Sequence, residues 1–169
     1  MMEKVGLGGL VSISAETHQA YTLEFLTTLS KTENPVGVPK IHFRLARQRL
    51  SMTYDELRVA LGITVLPDGK FVILDTAEFN GFWCAITGLS RKTHNDKIHL
   101  IPHPALRLLH RFFTMTFLGH GGPNNVTQMG LSCLWAMTPE GRDIPDWADM
   151  FVSSCIRQRD ATGSIPMGV

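Results

Sequence analysis

Two histidines four residues apart, His99 and His103, have a spacing at which one face of a helix could bind a metal ion. The same stretch contains Pro102 and Pro104, and a proline inside a helix removes a backbone hydrogen bond and clashes with the preceding turn. No carboxylate lies at a ligand-like spacing close by. We therefore expect His103 to lie at the entrance of a helix that begins at Pro104, and we expect no metal ion and no other cofactor.

A second candidate for chemistry is Asp75, which follows the apolar segment FVIL and precedes Thr76. Retroviral-type aspartic proteases carry Asp-Thr-Gly after an apolar strand, and two such aspartates share a proton. Here Ala77 stands in place of the glycine, and the segment EFNGFW after it is typical of a helix. The simpler interpretation is that Asp75 caps this helix. No Ser-His-Asp or Cys-His set is recognisable, so we expect no enzymatic activity.

Basic residues indicate a possible partner. On the helix that begins at Pro104, Arg107, His110, Arg111 and Thr114 recur at i, i+3, i+4 and i+7 and share one face. This face is either the wet edge of a mostly buried helix or a surface that binds the phosphates of RNA or DNA. In the second interpretation, basic residues of the preceding loop and of a predicted hairpin would join this face in binding phosphates. The candidate nucleic-acid-binding residues are Arg44, Arg47, Arg49, Arg91, Lys92, Lys97, Arg107, His110 and Arg111.

The composition limits the classes of protein that remain. A chain of 169 residues suits one domain, and 44% hydrophobic residues with 18% charged residues can form a core. Because the net charge is only +1, any attraction for nucleic acid or anionic lipid must be local. No apolar run approaches the ~20 residues of a membrane-spanning helix, so we expect no membrane partner.

Three cysteines, Cys84, Cys133 and Cys155, lie far apart, each among apolar residues. An odd number at these spacings supports neither a disulfide framework nor a zinc site. We therefore expect buried free thiols and an intracellular protein of the cytoplasm or nucleus.

The elements that must position these residues follow from hydrophobic periodicity. Tyr21, Phe25 and Leu29 recur at steps of four, which predicts an amphipathic helix that ends before KTENPVGVP. The segment KIHFRL alternates apolar and polar residues, and Leu50 and Met52 resume the alternation after ARQR. This pattern predicts a β-hairpin with one buried face and a basic turn.

Local signals mark the ends of further elements. Thr53 and Glu56 have the spacing of a capping box, and the helix that follows them should run to Gly62. The segment ITVLPDGKFVIL is typical of a second hairpin. Four more helices are predicted: one in EFNGFWCAITG that ends near Gly88, one from about Pro104 to Leu118 that Gly119 caps, one in TQMGLSCLWAM and one in DWADMFVSSCIRQR.

The predicted fold class is mainly α (α+β): a helical domain with one or two small β-hairpins. Residues 1–14 are glycine-rich and predict a flexible N-terminal segment, and residues 15–169 are predicted to form a single domain.

The order of these landmarks resembles a known family. The strings YTLEFLTTL, IHFRLARQRLSMTYDELRVALGI, EFNGFWCAITG, IHLIPHPALRLLHRFFTMTFLGHGG and VTQMGLSCLWAM are similar, in this order, to the plant retrotransposon-derived domain of Athila-type open-reading-frame proteins and plant transposon proteins. The resemblance covers roughly residues 18–168. Family members often read Gly-Arg where this chain has Gly119-His120, which weakens the case for a basic group there. The ending GSIPMGV resembles a segment that continues in the family, so we expect a chain truncated at its C-terminus.

The resemblance implies an element-encoded module, often on the Gag side of the polyprotein, and carries over no catalytic residues. We therefore expect a non-enzymatic plant retroelement-encoded module that mediates protein or nucleic-acid interaction in element assembly or mobility. Its expected partners are RNA or DNA, a second copy of itself, or other element-encoded proteins. Two alternatives stay open: a degenerate enzyme fragment, protease-like or transposase-associated, and a domesticated host scaffold protein.

Overall fold

The computed structural model of this chain describes residues 2–14, 16–32, 38–64, 74–90, 93, 96–119, 124–141 and 145–161. Within this part of the chain, six α-helices accompany one small three-stranded antiparallel sheet, which confirms the predicted mainly α (α+β) class. No helix in these ranges is both long enough and apolar enough to cross a membrane.

The chain divides into two compact units. Unit 1 comprises Met1–Val5 and Leu66–Asp146, and unit 2 comprises Gly6–Val65 and Trp147–Val169. The chain therefore passes between the units three times, and none of these crossings coincides with the boundary predicted between residues 14 and 15.

The sheet belongs to unit 2 and consists of β1 (Ser30–Thr32), β2 (Lys40–Leu45) and β3 (Gln48–Thr53), in the order β1-β2-β3. The predicted hairpin is confirmed as β2 and β3, and its turn is shorter than the predicted ARQR. Only Ala46 and Arg47 connect the strands, so Arg49 lies within β3. The strand β1 was not predicted, because three polar residues are too few to show an alternating pattern.

Three helices complete unit 2: α1 (Gln19–Thr28), α2 (Tyr54–Ala60) and α6 (Trp147–Ala161). They were expected near these positions, and the predicted capping box is present. Thr53 Oγ1 accepts a hydrogen bond from the Glu56 amide at 3.2 Å, and a Glu56 carboxylate oxygen accepts one from the Thr53 amide at 2.7 Å. One cluster of buried residues in the unit consists of Leu29, Ile41, Phe43, Tyr54, Leu57, Ala148, Val152 and Cys155.

The glycine-rich N-terminal segment contains two short 3-10 turns, Glu3–Val5 and Leu10–Ser12. In unit 2, the Thr64 amide donates a hydrogen bond to the Gly6 carbonyl at 2.8 Å. A β-carbon on Gly9 would lie 2.3 Å from the carbonyl oxygen of Gly62, which no real side chain tolerates. The segment predicted to be flexible therefore contacts the end of α2 through backbone that only glycine brings this close.

Unit 1 contains α3 (Thr76–Thr87), α4 (Pro104–Phe113) and α5 (Gln128–Ala136), close to the positions predicted for them. A π-helical turn, Thr114–Leu118, extends α4 to the predicted end. Glycines with left-handed backbone end two of these helical segments as predicted, Gly88 with φ 75° and Gly119 with φ 59°. Most of the predicted second hairpin falls in residues 65–73, outside the described residues.

Asp75 is the N-cap of α3. Its Oδ1 accepts hydrogen bonds from the amides of Ala77 at 2.8 Å and Glu78 at 2.9 Å, and the Glu78 side chain completes a capping box. This is the simpler of the two interpretations of Asp75. Asp75 thus uses Oδ1 to cap a helix, whereas a protease dyad would require this carboxyl group to share a proton with a second aspartate.

Candidate functional site

The nine candidate nucleic-acid-binding residues divide between the units. Arg91 and Lys92 lie outside the described residues. Unit 1 contains Lys97, Arg107, His110 and Arg111, and unit 2 contains Arg44, Arg47 and Arg49.

The face of α4 that carries Arg107, His110, Arg111 and Thr114 was predicted to be exposed. This prediction is wrong for two of the four residues. His110 and Thr114 are completely buried, and His110 Nδ1 lies 3.4 Å from Thr114 Oγ1. The cause is packing against α5: a β-carbon on Gly130 would lie only 2.6 Å from His110 Nε2. The missing side chain of Gly130 thus provides the space for the imidazole. The exposed residues of this helical segment are Pro104, Ala105, Leu108, Arg111 and Met115.

Arg107 has a local structural role. Its Nη1 donates hydrogen bonds to the carbonyl oxygens of Ile101 at 2.9 Å and Pro102 at 3.2 Å, in the segment just before α4. Since these carbonyls precede a helix whose first residue is a proline, the half-buried guanidinium stabilises the entry of the chain into α4. Because some N–H groups of the Arg107 guanidinium are used in this way, fewer of them can bind a phosphate.

Lys97 and Arg111 are exposed, and each has an asparagine partner that sequence reasoning missed. Lys97 Nζ donates to Asn125 Oδ1, and Arg111 Nη2 donates to Asn124 Oδ1 at 3.0 Å. The backbones of Lys97 and Asn125 also pair as an isolated antiparallel bridge.

The two histidines first considered as metal ligands are both exposed. His99 lies in a 3-10 turn, Ile98–Leu100, and His103 is the residue before α4, as predicted. In the part of the chain that the structure describes, no group of three or more His, Cys, Asp or Glu side chains is placed to hold a metal ion.

In unit 2 the strand register brings basic residues together on one face of the sheet. Ile41 and Phe43 point into the core, so their neighbours along β2 point to the other face. Directly opposite residues in antiparallel strands share a face, which assigns the residues of β1 and β3. This face, which we name the basic sheet face, consists of Ser30, Thr32, Lys40, His42, Arg44, Arg49, Ser51 and Thr53.

The basic sheet face carries three permanent positive charges and no carboxylate of its own. Six of its eight side chains are exposed, and Arg44 and Thr53 are half-buried. His42 Nε2 lies 2.7 Å from Thr32 Oγ1 on the neighbouring strand. The face thus offers cations and hydroxyl donors to an anion, and it offers no Phe, Tyr or Trp on which a base could stack.

Two carboxylates lie at the borders of this face. Glu24 of α1 has an oxygen 3.6 Å from Arg44 Nε, and the same oxygen accepts a hydrogen bond from the Arg47 amide at 2.9 Å. Near the other end, hydrogen bonds from Thr53 lower the pKa of Glu56, and the charge of Lys40 lowers it further. Among the described residues, neither Arg49 nor Lys40 has a carboxylate at ion-pair distance, and of the two only Lys40 acts on the pKa of a nearby carboxylate.

Arg44 and Arg49 lie directly opposite each other on β2 and β3. Like charges in such a pair destabilise a sheet, by an amount within the roughly 0.2–1 kcal/mol range of cross-strand pairs. Glu24 compensates one charge of the pair and leaves the other. An anion that contacts both guanidinium groups would relieve this repulsion. We therefore expect an anion to bind most favourably at the pair of Arg44 and Arg49.

The hairpin turn provides a test that separates stability from charge. Ala46 and Arg47 have positive φ values of 50° and 65°, the conformation that favours Asn-Gly in two-residue hairpins. Replacing Arg47 with glycine is expected to raise the free energy of unfolding by up to about 1 kcal/mol, because glycine adopts this conformation without steric cost.

Urea denaturation of the Arg47→Gly protein measures this gain. Arg47→Ala is the matched control, since it removes the same charge but keeps the β-carbon, and it should leave the stability nearly unchanged. Equal stabilities of the glycine and alanine variants would contradict the strain assigned to this turn.

The cysteines are free, and their surroundings differ from expectation. Cys84 is exposed, so the prediction that all three are buried is wrong. Burial raises the pKa of the Cys133 thiol to about 12 and that of the Cys155 thiol to about 11. Both thiols therefore stay protonated and unreactive near neutral pH, and their labelling reports on opening of the units that contain them.

Comparison with family models, curated proteins and solved structures finds no match to this chain. The resemblance to the plant retrotransposon-derived domain stays a prediction from the sequence.

Proposed function

We propose that this chain is a non-enzymatic module that binds nucleic acid through the phosphate contacts of its basic sheet face. The observation that supports the proposal most directly is the cross-strand pair of Arg44 and Arg49, which carries more positive charge than Glu24 compensates. Arginine is suited to this task because its planar guanidinium binds phosphate oxygens in pairs.

The mode of binding follows from what the face contains. Lys40, Arg44 and Arg49 supply three cations, and exposed hydroxyls of Ser30 and Ser51 can donate to phosphate oxygens. Without aromatic platforms, the face gives contacts to the backbone and no reading of bases. We therefore expect weak binding with little dependence on sequence.

The salt dependence gives this proposal a quantitative form. Each phosphate neutralised on a single strand contributes about −0.7 to the slope of the logarithm of affinity against the logarithm of salt concentration. Three cations on one chain thus predict a slope of about −2. Fluorescence anisotropy with a labelled single-stranded oligonucleotide, titrated at several salt concentrations, measures the slope.

Arg49→Gln is the variant that tests the face. It removes an exposed cation that has no carboxylate at ion-pair distance among the described residues, and it should make the slope less steep by about 0.7, together with a loss of affinity at low salt. Arg157→Gln is the matched control: it removes the same charge from an exposed position on α6 of the same unit, where Nε donates to the Ser153 carbonyl. Equal losses in the two variants, or no binding by the folded wild-type protein at low salt, would refute the proposal.

The place of this binding in a biological process rests on the family resemblance. We propose that the module acts in the assembly or mobility of a plant retroelement, inside the cell, where element RNA or DNA is the polyanion at hand. Short oligoribonucleotides and oligodeoxyribonucleotides of the same sequence, compared in the anisotropy assay, separate these two ligands. An RNA partner would contribute 2′-hydroxyls that the hydroxyl-rich face can contact.

A further inference from the structure

We infer that the outer edge of β3 pairs with β3 of a second copy of this chain, antiparallel, to form a six-stranded sheet. In the described sheet, β3 is hydrogen-bonded to β2 on one side only. Its first four residues are exposed. An edge strand presents unpaired backbone donors and acceptors, which another strand satisfies by pairing.

The two edges of the sheet differ in their protection against such pairing. The strand β1 has only three residues, and Lys31 is opposite Ile41, so a charged side chain lies on the core side of this edge. A short strand with an inward-pointing charge is a common means of keeping an edge unpaired. The edge at β1 is therefore protected.

Among the residues that the structure describes, nothing comparable protects the strand β3. It is six residues long, contains no proline and pairs with β2 without a bulge. Its core-side residues are Gln48, Leu50 and Met52, which carry no charge. Leu50 is 43% exposed although Phe43 opposite it is only 8% exposed, so within the described part of the chain the apolar side of the sheet continues to an exposed residue at the edge.

Faces and charges select the register of the pairing. Directly opposite residues must share a face, so a two-fold axis has to pass through a residue and its own copy. An axis at Arg49 would oppose two arginines, and an axis at Ser51 would draw Thr53, the N-cap of α2, into the ladder. An axis at Leu50 joins the two exposed leucines and sets Arg49 opposite Ser51 of the second copy, which avoids a like-charge pair.

The same geometry favours a second copy of this chain as the partner of the outer edge of β3. Pairing two β3 edges consumes both unprotected edges and leaves a β1 at each end, so the assembly closes as a symmetric dimer. It also joins the two basic sheet faces into one, whose charge complement is a polyanion. In this respect alone the inference rests on the proposed function: a strand that contacts both faces should show a salt slope of about −4 in place of about −2.

The test measures the mass of the protein by light scattering and sedimentation velocity over a range of concentrations, without and with a single-stranded oligonucleotide. Leu50→Lys places a charge on the core side of the edge, as Lys31 does on the other edge. Val59→Lys is the matched control, because Val59 is an apolar residue of α2 in the same unit that is already 82% exposed. We expect dimers for the wild type and Val59→Lys, and monomers for Leu50→Lys.

A cross-linking experiment checks the register. In a Cys84→Ser background, which removes the exposed native thiol, mild oxidation of Leu50→Cys should give a covalent dimer, whereas Val59→Cys should not. A wild type that is monomeric with and without oligonucleotide, or a Leu50→Lys protein that stays dimeric, overturns the inference. A monomer that binds with a slope near −2 leaves the proposed function standing. A dimer without nucleic-acid affinity refutes the proposed function and leaves the pairing.

Discussion

Replacing Phe43 with alanine is expected to lower the free energy of unfolding by about 3–5 kcal/mol, as for other large aromatic residues removed from a core. Phe43 lies on the central strand, is 8% exposed, and contacts Phe25 of α1 edge-to-face with ring centroids 5.0 Å apart. Its removal leaves a cavity between the sheet and α1. The same loss should reduce nucleic-acid binding, since β2 carries Lys40 and Arg44 of the basic sheet face.

Urea denaturation gives the loss of stability, and labelling of the Cys155 thiol gives its location, because Cys155 belongs to the same core as Phe43. Tyr21→Ala is the matched control: it removes an aromatic ring of α1 that is about half exposed, and it should change the stability by about 0.5 kcal/mol or less. Similar losses for the two variants would contradict the position of Phe43 in the core.

Adding a single methyl group at Gly130 is also expected to lower the free energy of unfolding. In Gly130→Ala the new β-carbon would lie 2.6 Å from His110 Nε2 and 3.1 Å from Thr127 Oγ1, the oxygen that caps α5. Both His110 and Gly130 are buried, so neither can move aside into solvent. Overpacking of this kind costs about 1–3 kcal/mol.

Gly81→Ala is a control that should change the free energy of unfolding in the opposite direction. Gly81 also lies inside a helix of unit 1, but a β-carbon there would meet nothing within 4 Å, so alanine should stabilise α3 by about 0.5–1 kcal/mol. The double variant His110→Ala/Gly130→Ala should be less destabilised than the sum of its single changes, because alanine at 110 leaves room for the new methyl group. Additive losses would mean that the two residues do not conflict. Labelling of Cys133, on α5, reports opening at this place.

Features set by neighbours in the sequence were predicted well. The capping box of Thr53 and Glu56, the cap of Asp75 and the glycines that end α3 and the α4 segment depend on residues within one helical turn. The alternation in KIHFRL likewise predicted which side of β2 is buried. Such signals are local, so one sequence contains all the information that they need.

Features set by tertiary packing were not predicted. Gly130, 20 positions after His110, decides which side of α4 faces water. The local sequence HPALRLLHRFF contains no signal for this. The repulsive pair of Arg44 and Arg49 depends on a turn of two residues, whereas the sequence suggested four. The partners of Lys97 and Arg111 are Asn125 and Asn124, whose types indicated only a turn.

The two-part composition of unit 2 has a consequence for its synthesis. Its sheet is complete once β3 has been made, but Ala148 and Val152 of α6 belong to the same core as Ile41 and are made only after the whole of 66–146. On the ribosome, the apolar side of the sheet therefore lacks α6 for as long as residues 66–146 are being synthesised. Contacts this distant in sequence form slowly, so newly made chains should be most prone to aggregation, and most dependent on chaperones, during this interval.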